Sequence, residues 1–228
     1  LWVLPIDRPT PKRIPIDLGY VIDHTLTEVA STENVAAGFG PSPNGAYMAI
    51  EHRGEIFTVP TDTGVGERRR ITESAWRQSN PSYSPDGRYL AFLSDESKEE
   101  EVWITDLRTT ERRKLTAQAS RKNLLQWTGD SKQILFSSGI SLYSIDAAAG
   151  KTTEIARHAA GGYTLNQASP DGRWLVLSRR DDYQNAEVVV YDVTAKKEYN
   201  VTSHPARESN GMLTPDGKTV IFVSNRDA

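Results

Sequence analysis

One string limits what this chain can fold into more than any other: SPDGRYLAF at 84–92, a tight polar turn followed at once by an apolar run. Near-copies stand at 42–50 (SPNGAYMAI), 128–136 (TGDSKQILF), 169–177 (SPDGRWLVL) and 214–222 (TPDGKTVIF). The second residues of these copies, Pro43, Pro85, Gly129, Pro170 and Pro215, are 42, 44, 41 and 45 residues apart. A repeat of roughly 40 to 45 residues fits four-stranded propeller blades, whereas helical repeats of similar length carry an apolar period of about 3.6 residues.

The strings between the turns decide the matter. A short first strand runs into each turn, and the turn chemistry closes a hairpin. Proline presets φ at about −65°, the aspartate bonds the local backbone, and glycine accepts positive φ. A second, almost wholly apolar strand follows at 47–50, 89–93, 133–136, 174–177 and 219–223, as expected where neighbouring blades cover both sheet faces. The third strands, EIFTV from Glu55, EVWIT from Glu101, SLYSI from Ser141 and EVVVYD from Glu187, alternate more. The fourth, RRIT at 69–72, RKLT at 113–116, TEIA at 153–156 and YNVT at 199–202, carry charge suited to an outer edge facing water.

No long helical period is present, so the expected fold class is all-β: a β-propeller of four-stranded antiparallel blades, about four full blades plus two half blades. Blades are expected at 35–72, 73–116, 117–156 and 157–202, with a half blade at 203–228. Residues 1–16 match the last two strands of a preceding or closing blade, and 17–34, about twice a usual gap, form a transition segment. Pairing 219–223 with 1–4 would seal a five-bladed ring. The preferred reading is a segment of a larger protein, because 17–34 looks like a domain entrance.

A formal net charge of −3 argues against a general nucleic-acid binder, which needs a basic stripe to displace counterions from phosphates. The absence of cysteine removes disulfides, thiolate metal sites and cysteine nucleophiles together. No apolar run approaches the roughly 18 residues of a membrane span. No targeting segment is visible around Leu1.

Few residues invite a chemical reading. The nearest string to a nucleophile elbow, GFGPS at 38–42, puts its serine at the entrance of a turn and is read as structural. His24, His52, His158 and His204 lie in different repeats without the spacing of metal-ligating pairs, and are read as exposed loop histidines. Asp95, Asp181, Asp182 and Asp227 follow second strands but lack the DxDxDG pattern of a calcium loop, so they are read as loop charge and backbone caps. Phosphate-cradling glycine loops are missing. No catalytic, cofactor-binding or metal residue is therefore assigned, and no cofactor is expected.

One arrangement stands out. Arg77, Arg121 and Arg207 each lie eight residues before the turn marker of their unit, with Gly162 and Val35 at that position in the other two. Equivalent positions of a propeller sit at equivalent radii, so these arginines are expected to form a partial basic ring on one face. Guanidinium is permanently charged and pairs bidentately, which suits carboxylate-bearing peptides. Arg68, Arg69 and Arg70 fall on a predicted outer strand and are read as a solvated edge.

The strings SPDGRYLAFLSD, TPDGKTVIFVSNRD and RKLT resemble the TolB-type propeller repeat, over nearly the whole chain from Val35 onward. That repeat is specific for a propeller and unspecific for function: it occurs in TolB, tricorn-type proteases, prolyl-oligopeptidase-type peptidases and oligogalacturonate lyases. Within the group, the phrase KRIPIDLGYVIDHTLTEVASTENVAAGFGPSPNGAYMAIEHRGEIFTVP at 12–60 is most similar to bacterial homologues of tricorn protease. There an N-terminal propeller leads through such a phrase into a second one whose first blade carries RGEIFTVP, here 53–60.

The resemblance implies that 1–16 close a first propeller and that the rest is most of a second. It implies a non-catalytic domain of a serine peptidase that gates or channels peptides. Its partners would be peptides or proteins, the remaining domains of the same polypeptide and further copies in a homo-oligomer. The family's catalytic serine and histidine belong to later domains, and no position here matches them. Two other readings stay open: a TolB-like interaction scaffold of the cell envelope, and a polysaccharide lyase resembling oligogalacturonate lyase with a metal held by loop histidines. The periplasm is favoured over the cytoplasm.

Overall fold

The computed structural model describes residues 2–3, 12–13, 36–62, 66–118, 120–159, 161–181, 183–214 and 216–226. In it, every copy of the repeated turn is locked the same way. The Ser84 hydroxyl donates to Asp86 Oδ1, the Tyr89 N–H donates to Ser84 Oγ at 2.8 Å, and the Arg88 N–H donates to Asp86 Oδ1 at 3.0 Å. Thr128 with Asp130, Ser169 with Asp171 and Thr214 with Asp216 repeat the lock, and Asn44 replaces the aspartate beside Ser42. Gly87 takes φ of 70°, and in the third copy Ser131 takes the same left-handed conformation at 61°. That copy departs from the pattern for a steric reason. A Cβ on Gly129 would lie 2.0 Å from the carbonyl oxygen of Pro170, so the proline of the other turns does not fit there.

The chain divides into two units, Leu1–Thr32 and Glu33–Ala228. In the first, β1 (Trp2–Val3) and β2 (Lys12–Arg13) pair antiparallel, Trp2 opposite Arg13. The transition segment at 17–34 lies outside the described residues.

In the second unit, four sheets follow one another, each antiparallel and each built from four strands in chain order. They are β3 to β6 (Ala36–Pro41, Tyr47–His52, Glu55–Pro60, Arg69–Arg70) and β7 to β10 (Gln78–Tyr83, Tyr89–Ser94, Glu101–Asp106, Arg112–Lys114). Then come β11 to β14 (Lys122–Trp127, Gln133–Ser138, Ser141–Asp146, Thr152–Arg157) and β15 to β18 (Tyr163–Ala168, Trp174–Arg180, Ala186–Asp192, Lys197–Asn200). A hairpin of β19 (Glu208–Leu213) and β20 (Val220–Ser224) ends the unit, with Met212, Ile221 and Val223 exposed. There is no helix among the described residues. The opening strands pack on one another in succession, β3 on β7, β7 on β11, β11 on β15 and β15 on β19, which makes them the inner strands of consecutive propeller blades.

Burial follows that geometry. In β8 five of six residues are buried, and β10 is largely exposed. The third strands are more buried than their alternation predicts: β9 leaves only Trp103 partly exposed, because a neighbouring blade covers each of its faces. The core forms one apolar cluster at each junction between two four-stranded blades. Ala91, Val102, Ile104, Ile134, Phe136 and Ile145 belong to the cluster between the second and third blades. Leu135, Leu142, Leu165, Leu175 and Val189 belong to that between the third and fourth. Ala49, Ile56, Leu90 and Phe92 form the smaller one between the first and second.

All five inner strands carry a register shift against the second strand. In β7 it falls between Ser79 and Ser82, with Asn80 at φ 53°, and in β19 between Ser209 and Met212, with Asn210 at φ 54°. Asparagine tolerates this left-handed region better than most residues, and the bulge bends the inner strand.

Candidate functional site

Arg77, Arg121 and Arg207 immediately precede β7, β11 and β19, so they occupy one structural position in three blades. Each backbone there is tied to the end of the adjacent second strand. The Arg77 N–H donates to Asp95 Oδ1 and the Arg207 N–H to Asn225 Oδ1, both at 2.8 Å, and the Ser138 hydroxyl donates to Arg121 O at 3.1 Å. Asp95 therefore caps backbone, as does Asp181, which accepts from the N–H groups of Tyr183 and Asn185. Asp182 and Asp227 lie outside the described residues.

The three side chains differ in what they meet. Arg77 Nη2 lies 3.2 Å from Glu51 Oε1 of the first blade, with the Arg77 side chain 66% exposed and that of Glu51 only 5%. Arg121 is exposed and shares a hollow of about 290 Å3 with Arg77, Ser79, Ser94 and Glu100. Arg207 lines a separate hollow of about 380 Å3 together with Arg180, Gln184 and Asn225. Two of the three arginines thus converge, and Arg180 joins the third.

Beneath this rim runs a layer of buried polar groups that sequence reasoning missed. The third strands of three blades carry a buried glutamate at their start, Glu55 and Glu101 as first residue and Glu187 as second, and each accepts from the threonine that follows the fourth strand: Thr72 to Glu55 at 2.6 Å, Thr116 to Glu101, and Thr202 to Glu187. The same hydroxyls accept the N–H of Ile56, Val102 and Val188. In the third blade Ser141 and Ala156 stand at these positions. The residue after the arginine position is also buried: Gln78, Lys122, Tyr163 and Glu208. Lys122 Nζ lies 2.9 Å from Glu101 Oε2 with both side chains buried, and it donates to the carbonyls of Glu100, Gln118 and Ser120. The repeated terminal threonine of the fourth strands was the available signal. Its carboxylate partner stands 15 to 17 positions earlier in the sequence, too far for a local reading.

Other sequence readings meet their surroundings as follows. Ser42 serves its turn, donating to Asn44 Oδ1 at 2.9 Å and accepting the Tyr47 N–H at 2.9 Å. The reading of the histidines as exposed loop residues needs correction. His52 ends β4, His158 follows β14, both are partly buried, and the Nδ1 of each is buried without a partner among the described residues. His204 is partly buried too, its Nδ1 accepting the Ala206 N–H at 3.1 Å, and His24 lies outside the described residues. Among the described residues no three of His, Cys, Asp or Glu group to hold a metal ion. No described helix is long and apolar enough to cross a membrane.

Residues 39–228 match the family model of the TolB beta propeller domain. The chain belongs to that family. Over 165 residues, 72% of this TolB-type propeller chain and 24% of the relative, it is 29% identical to the uncharacterized peptidase YuxL of Bacillus subtilis. It is 25% identical over 224 residues to the Tol-Pal system protein TolB of Wolinella succinogenes, covering 91% of this chain and 52% of that protein. A crystal structure of the tricorn protease superposes with a TM-score of 0.71 at 19% identity, over 85% of this chain and 19% of that one, a likeness of fold. The chain spans about a quarter and about half of the length of the two curated relatives it matches.

Proposed function

We propose that this TolB-type propeller is a non-catalytic domain of a tricorn-type serine peptidase, gating or channelling peptides and mediating protein interactions through its arginine-bearing rim. The observation that carries the reading is the recurrence of an exposed arginine at one strand-opening position in three blades, with Arg77 and Arg121 in one hollow. Guanidinium groups fixed at blade-repeat positions offer forked donors to carboxylates of a passing peptide. The peptidase relative and the fold likeness to the tricorn protease support the same assignment. The test is peptide binding by a variant carrying Arg77→Ala, Arg121→Ala and Arg207→Ala. Acidic peptides are expected to bind at least about tenfold more weakly, since charged hydrogen bonds of about 1.5 to 3 kcal/mol are removed. Unchanged binding overturns the reading.

A second reading, a TolB-like interaction scaffold of the cell envelope, is favoured by the 91% of this chain that the match to the Tol-Pal system protein TolB of Wolinella succinogenes covers. The sequence of the whole polypeptide separates the two: a protease domain in it supports the first reading, and a small mixed α/β domain before the propeller supports the second.

A further inference from the structure

The blade junctions can be compared with one another. Between the second and third blades the wedge is filled. Trp127 stacks on Tyr89 with ring centroids 6.2 Å apart, and its indole N–H donates to Ser82 O at 3.0 Å. Arg113 reaches across to two successive main-chain carbonyls of the next blade, those of Ala147 and Ala148, the latter at 2.9 Å. Between the third and fourth blades the Tyr191 hydroxyl crosses to Ile155 O at 2.9 Å.

The first junction carries the same positions with different residues: Tyr83 for Trp127, Tyr47 for Tyr89, Arg69 for Arg113 and Leu107 for Ala147. There the wedge stays open as a groove of about 740 Å3 lined by Tyr47, Ile71, Tyr83, Leu107 and Arg69. Ile71, Tyr83 and Leu107 are only partly buried against the small cluster beneath them. The Arg69 guanidinium makes no hydrogen bond or ion pair among the described residues, whereas Arg70 beside it pairs with Glu55 and Glu73. Asp86, the one acid of the lining among the described residues, turns Oδ1 back to Ser84 and Arg88 of its own turn.

We propose that this groove is a second peptide site, which takes a short, uncharged peptide segment through one aromatic or branched apolar side chain and two consecutive main-chain carbonyls. Arg113 shows what an arginine at this position grips in a blade junction: two consecutive main-chain carbonyls, here those of the turn after β13. At the first junction the guanidinium is available to do the same for an external chain. An apolar side chain entering between Tyr47 and Tyr83 covers Ile71 and Leu107, a hydrophobic gain that scales with the area removed from water. Burial, with the neighbouring Tyr47 adding to it, pushes the Tyr83 phenol up to about 12, so its hydroxyl stays protonated and able to donate to a peptide carbonyl. Arg77 precedes β7 and Tyr83 ends it, so the groove and the arginine rim lie at opposite ends of the blade and act independently.

The probe is the capped peptide acetyl-Ala-Ala-Phe-Ala-Ala-amide, with acetyl-penta-alanine-amide as control, titrated against the isotope-labelled chain by NMR. Saturable shifts are expected at Tyr83, Ile71 and Leu107 for the Phe peptide and not for the control. Arg69→Ala, at an exposed position that does not endanger folding, is expected to weaken binding about tenfold. Tyr83→Trp, which copies the filled junction, is expected to weaken it by at least as much. The triple rim variant of Arg77, Arg121 and Arg207 is expected to bind the probe like the parent. No saturable binding at millimolar peptide, or parental affinity in both groove variants, overturns the site. Loss confined to the triple rim variant also overturns it while leaving the rim reading standing.

Discussion

A Cβ at position 129 would sit 2.0 Å from Pro170 O and 2.8 Å from Pro170 C, both backbone atoms that cannot swing aside as a side chain can. Gly129→Ala therefore has to push the third and fourth blades apart, and overpacking of this kind costs about 1 to 3 kcal/mol. The expected outcome is a lowered urea midpoint with an unchanged denaturant slope, and an unaltered midpoint would show that the junction yields freely. Lys122 makes a different demand. Its ammonium is wholly buried against Glu101 and three carbonyls, so Lys122→Met leaves a buried carboxylate held, among the described residues, by Thr116 alone. Breaking one side of such a pair costs about 3 to 5 kcal/mol, while replacing both partners with apolar groups is often neutral. Equilibrium unfolding of Lys122→Met beside the double variant Lys122→Met with Glu101→Leu checks both halves. The single variant is expected to lose that much stability and the double to recover most of it.

The hairpin turn is the element that titrates. A hydrogen bond from the Ser169 hydroxyl, then one from the Arg173 N–H, holds Asp171 below the ordinary value of 3.8, and Asp216 is held down by Thr214 and the Lys218 N–H in the same way. The folded carboxylates thus bind fewer protons than the unfolded ones. Their contribution to stability is complete above the unfolded value and disappears as the pH falls through the lower folded values. Nature supplies the control, since the first turn works with Asn44 in this place. Asp171→Asn is expected to keep the fold at neutral pH and to flatten the loss of stability below about pH 4, read from urea midpoints at pH 7 and pH 3. An equal acid sensitivity in parent and variant would remove the turn from the account. This element was also the most legible in sequence, because proline, aspartate and glycine act on their own few residues of backbone, and blade period and strand order followed from counting turns. The bulges at Asn80 and Asn210 were not legible. Each is a one-residue slip, two residues of the inner strand opposing one of the second, and a string as uniformly polar as RQSNPSY has no apolar alternation in which such a slip would show. Arg69 is exposed on the outer strand, as its reading as a solvated edge expects; that it also lines the groove depends on the next blade, which no window within one repeat contains.

At the scale of the unit from Glu33 to Ala228, stability is a sum of blades and of the junctions between them, as in other repeat folds. The junctions are unequal. The second and third blades share a cluster that includes Trp127, Phe136 and Ile145 and is crossed by the Lys122–Glu101 pair and the Arg113 bridge. The first and second share four fully enclosed apolar residues, an ion pair from the exposed Arg77 to the buried Glu51, and an open groove. Local opening follows the weakest nearest-neighbour term, so the amides of β5 are expected to exchange with solvent deuterium faster than those of β9 and β13, although all three are third strands of their sheets. Tyr83→Trp gives the argument its sharper form. If the indole fills the wedge as Trp127 does one junction further on, burial of its extra apolar surface strengthens the first junction, and β5 gains protection while β13 keeps what it had. The same substitution is the one expected to close the groove to peptide. Stability and binding at this junction then move in opposite directions, as they do where a binding surface is kept at the expense of packing. Equal protection of β5, β9 and β13 in the parent chain would mean instead that the blades open as one cooperative body, and the groove would then be a passive gap in a uniform sheet stack.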